Sequence, residues 1–412
     1  MDFHGPQDYL IALALIVIVS YFFNILSKLT RIPSVLMLIS TGVGITYALK
    51  SFGGPAVEEA SLRPILEILG TVGIIMIVLE AALDLELTRD KRHLIWSSLA
   101  LSVAELVTVT ALISALIHYS MDAPWSSSLI YAIPLSILSS AIVIPSVGGL
   151  GHHKKEFMIY QSTFSDILGI MIFYFTIEAV EAETAWDVAK TFSWSFLFSM
   201  VISVILSYLL VFILQNIKSQ VKLFLLIAVL ILLYAVGKRL HLSPLLIILI
   251  FGLILNNSKL FFQGRLAKWL KFSIMKTLLK DFRLITLESS FVIRTFFFVV
   301  FGITIHLPSL MSPFVFIFST VALLGMYVLR DLWMNVFVGR DNKPELYIAP
   351  RGLITILLFF NIPESHAISN FENGILLYII IATSIVMTWS LIAYEPKGES
   401  KKEKKSTSAT TE

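Results

Sequence analysis

The sequence predicts an all-α polytopic membrane protein of about thirteen transmembrane helices, with inverted-topology repeats and discontinuous helices at the midplane. Three observations carry that prediction. Apolar residues make up 57% of the 412-residue chain and charged residues only 14%, against about 45–50% and about 25% in soluble domains. Apolar runs of spanning length, roughly 20 residues, recur from end to end. Two pairs of distant segments also repeat each other at a nearly constant offset. The mean hydropathy of +0.86 excludes a multidomain soluble protein, and the absence of Cys excludes a disulfide framework or a Cys-ligated metal. The opening MDFHGPQ lacks a basic stretch, so the first apolar run reads as a spanning helix and not as a cleaved signal.

Dividing the chain at Gly/Pro/Asn clusters and charge groups gives spans at 8–27, 32–50, 65–87, 94–118, 127–148, 157–180, 192–214, 221–237, 243–256, 285–306, 313–338, 345–361 and 371–394. The spans 243–256 and 345–361 are short or interrupted. With the N-terminus outside, the cytoplasmic connections and the tail hold 23 of the 31 Lys and Arg, and the outer connections hold 5. The positive-inside rule then places the C-terminus in the cytoplasm, in the cell (inner) membrane. The stretch 259–283, rich in Leu, Phe and Trp with seven basic residues, reads as a helix lying in the cytoplasmic interface. Residues 1–394 form one transmembrane domain, and the polar tail 395–412 is expected to be disordered.

The repeat rests on RIPSVLMLISTGVGI (31–45) against HLSPLLIILIFGLILNN (241–257), which sets Gly42 opposite Gly252. Downstream, VLEAALDLEL (78–87) matches VVFGITIHLP (299–308), with Ala82 opposite Gly302. Matched helices are an odd number apart in order and so cross in opposite directions. Repeat one covers about 8–180 and repeat two about 221–394, an arrangement that puts an ion site at the midplane.

A charge at the centre of a bilayer costs at least about 2.5–3.5 kcal/mol, so it faces protein or water and marks a path. Asp166, ten residues into FMIYQSTFSDILGIMIFYF, is the sharpest case. Ser162, Ser165 and Gly169 share or flank its helix face. One carboxylate among hydroxyls suits a hard monovalent cation, and the same carboxylate can take a proton. Arg294, in SSFVIRTFFFVVFGI, reads as an internal counter-charge. Glu80, beside Ala81 and Ala82, reads as a site or relay residue. Glu105 and Glu288 are secondary candidates, the first lining a dimer face or crevice and the second near the interface. Arg330 and Arg351 lie near cytoplasmic helix ends, where snorkelling or capping is expected. In LSILSSAIVIPSVGGL (135–150), Ser139, Ser140 and Pro145 with two Gly indicate an interrupted helix that exposes backbone carbonyls to an ion.

His152 and His153 fit no metal spacing, and no metalloprotease, hydrolase or phosphate-loop pattern is present, so neither an enzyme nor a cofactor is expected. The basic amphipathic patch is accounted for by anionic lipid, not by nucleic acid.

Together these residues resemble the monovalent cation:proton antiporter superfamily, and above all its sodium/proton exchanger branch, from Arg31 to about Pro363. LTRIPSVLMLISTGVGI is similar to the family's second-helix motif, and IIMIVLEAALDLEL puts Glu80 on the family's acidic position. LSSAIVIP resembles its broken helix, FVIRTFFFVVFGI its Arg-Thr-Phe-Phe-Phe helix and ELYIAPRGLITILLF its Arg-Gly motif. YQSTFSD stands where the family has G-E-S-x-x-N-D, so Gln161 replaces Glu and Ser165 replaces Asn. The resemblance implies that Arg294, without the family's Glu, turns to Asp166, Glu80 or Glu288. It implies exchange of a monovalent cation (Na+ favoured, K+ or Li+ possible) for H+ at Asp166, with Gln161, Ser162, Ser165, Ser140 and Glu80 around the ion. It also implies a homodimer in the lipid bilayer. A single carboxylate indicates electroneutral transport. The competing readings are a carrier of a small organic anion or neutral solute using Arg294, and a gated cation channel.

Overall fold

Helices form where apolar runs let every backbone group be satisfied within its own segment, as hydrocarbon demands. A computed structural model describes residues 6–30, 32–51, 59–180, 185–217, 222–239, 244–263, 272–305 and 307–394. The chain runs through α1 (Pro6–Thr30), α2 (Ser34–Ser51), α3 (Glu59–Asp84), α4 (Arg92–Met121), α5 (Trp125–Ser136), α6 (Ser140–Ser146), α7 (His152–Val180) and α8 (Ala185–Asn216). It continues through α9 (Lys222–Arg239), α10 (Pro244–Asn256), α11 (Ser258–Phe261), α12 (Phe272–Thr304), α13 (Pro313–Phe337), α14 (Leu353–Phe360) and α15 (Gly374–Ala393). No strand occurs among the described residues. Seven stretches are long and apolar enough to cross a bilayer, and shorter apolar helices accompany them.

The helices pack as two bundles. One gathers α4, α5, α6, α7, α13, α14 and α15, and the other gathers α1, α2, α3, α8, α9, α10 and α12. Large apolar side chains face outward on the rim helices, among them Leu10 and Phe22 of α1 and Ile317, Leu324 and Val328 of α13. Such a surface is stable only against lipid or another apolar face.

Small residues decide where backbones touch, as is usual between helices in lipid. A Cβ on Gly42 of α2 would stand 2.1 Å from the carbonyl oxygen of Val299 and 2.8 Å from the Cα of Gly302 on α12. A Cβ on Gly252 of α10 would stand 2.6 Å from the Cβ of Ala82 on α3. These contacts match one another under the sequence alignment, since Gly42 aligns with Gly252 and Gly302 with Ala82. Between the bundles, Leu357 of α14 lies over two glycines of α3, with its Cδ2 2.7 Å from a Cβ built on Gly70 and its Cδ1 3.8 Å from one on Gly73.

Three expectations are revised. The span expected at 127–148 breaks at 137–139, earlier than Pro145, which sits inside α6. The span expected at 345–361 is not one helix: a 3-10 turn at Glu345–Tyr347 and non-helical chain over 348–352 lead into the eight-residue α14. The interfacial segment does not stand apart in its described part: α12 runs unbroken for 33 residues, about 50 Å at 1.5 Å per residue, well beyond a hydrocarbon core of about 30 Å. Its first turns do show the amphipathic pattern, with Lys276 and Lys280 exposed. Their apolar side, Met275, Leu278 and Phe282, is nonetheless covered by protein. Residues 264–271 and the tail 395–412 lie outside the described residues.

Candidate functional site: crossed chain breaks beside a buried carboxylate

The break between α5 and α6 meets the break before α14. The N–H of Ser139 donates to the carbonyl of Pro350 at 2.9 Å, so two extended segments cross in the middle of one bundle. Gly352 permits the crossing, because a Cβ there would lie 2.6 Å from Ile142 Cδ1 and 2.8 Å from Ser139 Oγ. Gly169 of α7 plays the same part for Ile137, whose side chain comes within 2.3 Å of the place a Cβ would occupy.

Broken helices leave peptide groups without intrahelical partners, and side chains satisfy them here. Asp166 Oδ2 accepts the N–H of Ser140 at 3.0 Å, at the start of α6. Ser165 Oγ accepts the N–H of Leu138 at 2.9 Å, inside the gap. At the opposite pole, Arg351 Nε donates to the carbonyl of Leu135 at 2.9 Å, where α5 ends, and Nη1 donates to Ala349 at 2.8 Å. The carboxylate thus sits at a positive helix start and the guanidinium at a negative helix end, both favourable.

Asp166 is 2% exposed, and its Oδ1 has no hydrogen-bond partner among the protein atoms. The hydroxyls of Ser139 and Thr163 are likewise buried and without partners. Ser162 is fully buried, its hydroxyl donating to the carbonyl of Ile159 at 3.2 Å. A cavity of about 210 Å³ between the two bundles extends to Ser140, whose N–H Asp166 accepts, and is lined by Ser20, Asn24, Glu80, Ser140, Arg294 and Thr295 among others. That is far above the roughly 10–15 Å³ one water needs. Arg294 faces Glu80, Nη2 to Oε1 at 3.6 Å, which selects one of the three partners expected for it. Glu288 is exposed and takes no part.

The remaining predicted residues form a second polar cluster. Glu105 and Gln161 meet Arg330 in the interior of the first bundle, where Arg330 is 3% exposed. Its Nη1 donates to both Glu105 oxygens, at 2.9 and 2.8 Å. Arg330 is therefore no snorkelling residue, and Glu105 lines no outer face. Arg351, 4% exposed, also fails to snorkel but does cap a helix end. Gln161 lies on Arg330, not beside Arg294. Sequence reasoning missed Arg330 and Thr163, although Thr163 lies three residues before Asp166, on a neighbouring strip of the helix.

At the connection between the bundles, Lys91 Nζ reaches Glu156 Oε1 at 2.6 Å. That bond holds its ammonium above the ordinary lysine range.

Fold and site define a class: all-helical membrane proteins in which two interrupted helices cross beside a buried acid, at a cavity between two bundles. The chain belongs to the sodium/hydrogen exchanger family, whose transmembrane-region model matches residues 11–394. It is accordingly a multi-pass transporter of cations against protons. Among solved structures it is similar to the sodium proton antiporter MjNhaP1 from Methanocaldococcus jannaschii at pH 8, with 19% identity, a TM-score of 0.68, and coverage of 94% of this chain and 99% of that one. An electron-microscopy structure of the same antiporter gives 18% identity, a TM-score of 0.66, and coverage of 96% and 100%. At that identity the likeness concerns the fold. No curated protein matches the chain by sequence.

Proposed function

We propose that the chain exchanges a monovalent cation, with Na+ favoured, for a proton by alternating access around Asp166, without net charge movement. The observation that carries this reading is Asp166 Oδ1, buried and without a partner, at the crossing of two chain breaks. A carboxylate withdrawn from water needs a positive charge beside it, and a proton or a metal cation can each supply one. Ser139 and Thr163 offer hydroxyl oxygens to a hard cation, whereas a proton needs only the carboxylate. The acid belongs to one bundle, while Glu80 and Arg294 belong to the other. Relative motion of the bundles would open the acid to each side in turn, and the cavity between them extends to Ser140, whose N–H the acid accepts.

Exchange is one charge for one. A single carboxylate, Asp166, takes either the cation or the proton. Pairing of Arg294 with Glu80 at 3.6 Å weighs against an organic-anion carrier, because a substrate carboxylate would have to compete with Glu80 for the guanidinium. The bias of basic residues, 23 against 5, supports an N-terminus outside and a C-terminus in the cytoplasm, in the cell (inner) membrane. The exposed apolar helix faces are compatible with a homodimer.

The test is Na+-driven proton flux in proteoliposomes, with K+ and Li+ run in parallel. Asp166→Asn should reduce flux to that of empty vesicles while the protein stays folded, and Asp166→Glu should retain a fraction with altered affinity. Wild-type flux in Asp166→Asn would overturn the reading.

A further inference from the structure

In the cluster around Arg330, every N–H group of the guanidinium and both ends of the Gln161 amide find partners. Gln161 Nε2 donates to Glu105 Oε2 at 3.0 Å, and Gln161 Oε1 accepts from Arg330 Nη2 at 3.2 Å. Beyond the acid, the guanidinium donates to three carbonyls of the segment leading into the second chain break. These are Leu346 through Nε at 2.8 Å, and Glu345 and Ile348 through Nη2 at 2.8 and 3.1 Å. Two residues further on, the carbonyl of Pro350 holds the N–H of Ser139, and the next N–H, of Ser140, holds Asp166 Oδ2. Hydrogen bonds joined by two short stretches of backbone, 348–350 and 139–140, therefore link Glu105 on α4, through Arg330 on α13, to the N–H that Asp166 accepts.

We infer that Glu105 is a positioning residue for exchange, and that it performs from α4 the service an acid at position 161 would perform from α7. The geometry makes the two positions interchangeable. Gln161 and Glu105 touch the same guanidinium and touch each other, so a carboxylate at either place leaves Arg330 paired and a carboxamide at the other bridges the pair. A buried guanidinium stripped of its acid is strongly unfavourable. It would draw carbonyls or water to itself, and the segment 345–350 would lose its register. The cost then appears at Asp166 as weakened cation binding, the way losing a supporting partner behind a metal ligand costs about 10–100-fold in affinity or activity.

This inference rests on the reading of Asp166 as the exchange site, so Asp166→Asn is carried through the same assay. The experiment is Na+-driven proton flux of the full chain in proteoliposomes, normalised to monodisperse protein, for Glu105→Gln, Gln161→Glu and the double variant Glu105→Gln/Gln161→Glu. The single Glu105→Gln should raise the apparent KM for Na+ by about 10–100-fold, and the double variant should return it to within about threefold of wild type. A purely structural Glu105 would lower the yield of folded protein and leave KM unchanged. An unchanged KM in Glu105→Gln, or a folded double variant no better than the single, overturns the inference. If Glu105→Gln alone does not fold, the double variant decides. Folding with exchange supports the transposed acid, and failure to fold or to exchange refutes it. Loss of flux in Asp166→Asn with a normal KM in Glu105→Gln would refute this inference alone, whereas retained flux in Asp166→Asn would refute the reading beneath it.

Discussion

Ser165 occupies the place next to Asp166, the acid proposed to carry exchange, and its hydroxyl holds the amide of Leu138 in the gap between α5 and α6. Removing the hydroxyl leaves a buried N–H unpaired, at a cost of about 1–3 kcal/mol. Ser165→Ala should therefore lower the thermal midpoint in detergent, and cation affinity should fall with it, since Ser140 lies two residues on. A midpoint equal to wild type would show that water replaces the hydroxyl. Asp166 and Ser162 were legible in the sequence because a charge in an apolar run is costly and so stands out, and its helical neighbours follow from the pitch. Arg330 was not, because Arg340 and Lys343 follow it and make a helix end the natural assignment. Its burial depends on Glu105, 225 residues away in the chain, and pairing at that range leaves no local pattern.

At the scale of elements, contact between α2 and α12 is a contact of backbones. A side chain at Gly42 has no flexible neighbour to push aside, since the nearest atoms are the Val299 carbonyl and the Cα of Gly302. Gly42→Val should separate the two helices and reduce the yield of folded protein sharply, whereas Gly44→Val, with nothing within 4 Å of its Cβ position, should be tolerated. Equal yields from the two variants would contradict the packing. The alignment of repeats picked out Gly42, Ala82, Gly252 and Gly302 before any contact was known, because close packing demands small residues. The breaks were harder to place. Ser139, Ser140, Pro145 and two Gly indicate an interruption over 139–149; the chain opens at its near end, 137–139, and Pro145 sits inside α6. That opening is imposed by the crossing segment and by Gly169, both tertiary causes. The joining of 272–283 to the following span was hidden in the same way, since an amphipathic helix reads alike whether lipid or protein covers it.

For the whole molecule, the proposed one-for-one exchange at a single carboxylate moves no net charge, so flux should not respond to an imposed membrane potential. Proteoliposomes clamped with K+ and valinomycin, with Na+ as the transported ion, give the measurement. Acceleration by a potential would mean that a second group, Glu80 or Glu105, carries charge across. The boundary between the bundles is also a mechanical part. Where α14 crosses α3, the underlying helix offers Gly70 and Gly73, so Leu357 rides on bare backbone as a roller rides on a smooth race. Side chains that interlock must climb over one another to slide, and α3 itself raises none at Gly70 and Gly73, with Ile293 of α12 standing beside the track. Adding teeth to it should act as friction: Gly73→Leu should slow turnover while the affinity for cations stays as it was, a brake on the stroke and not on the grip.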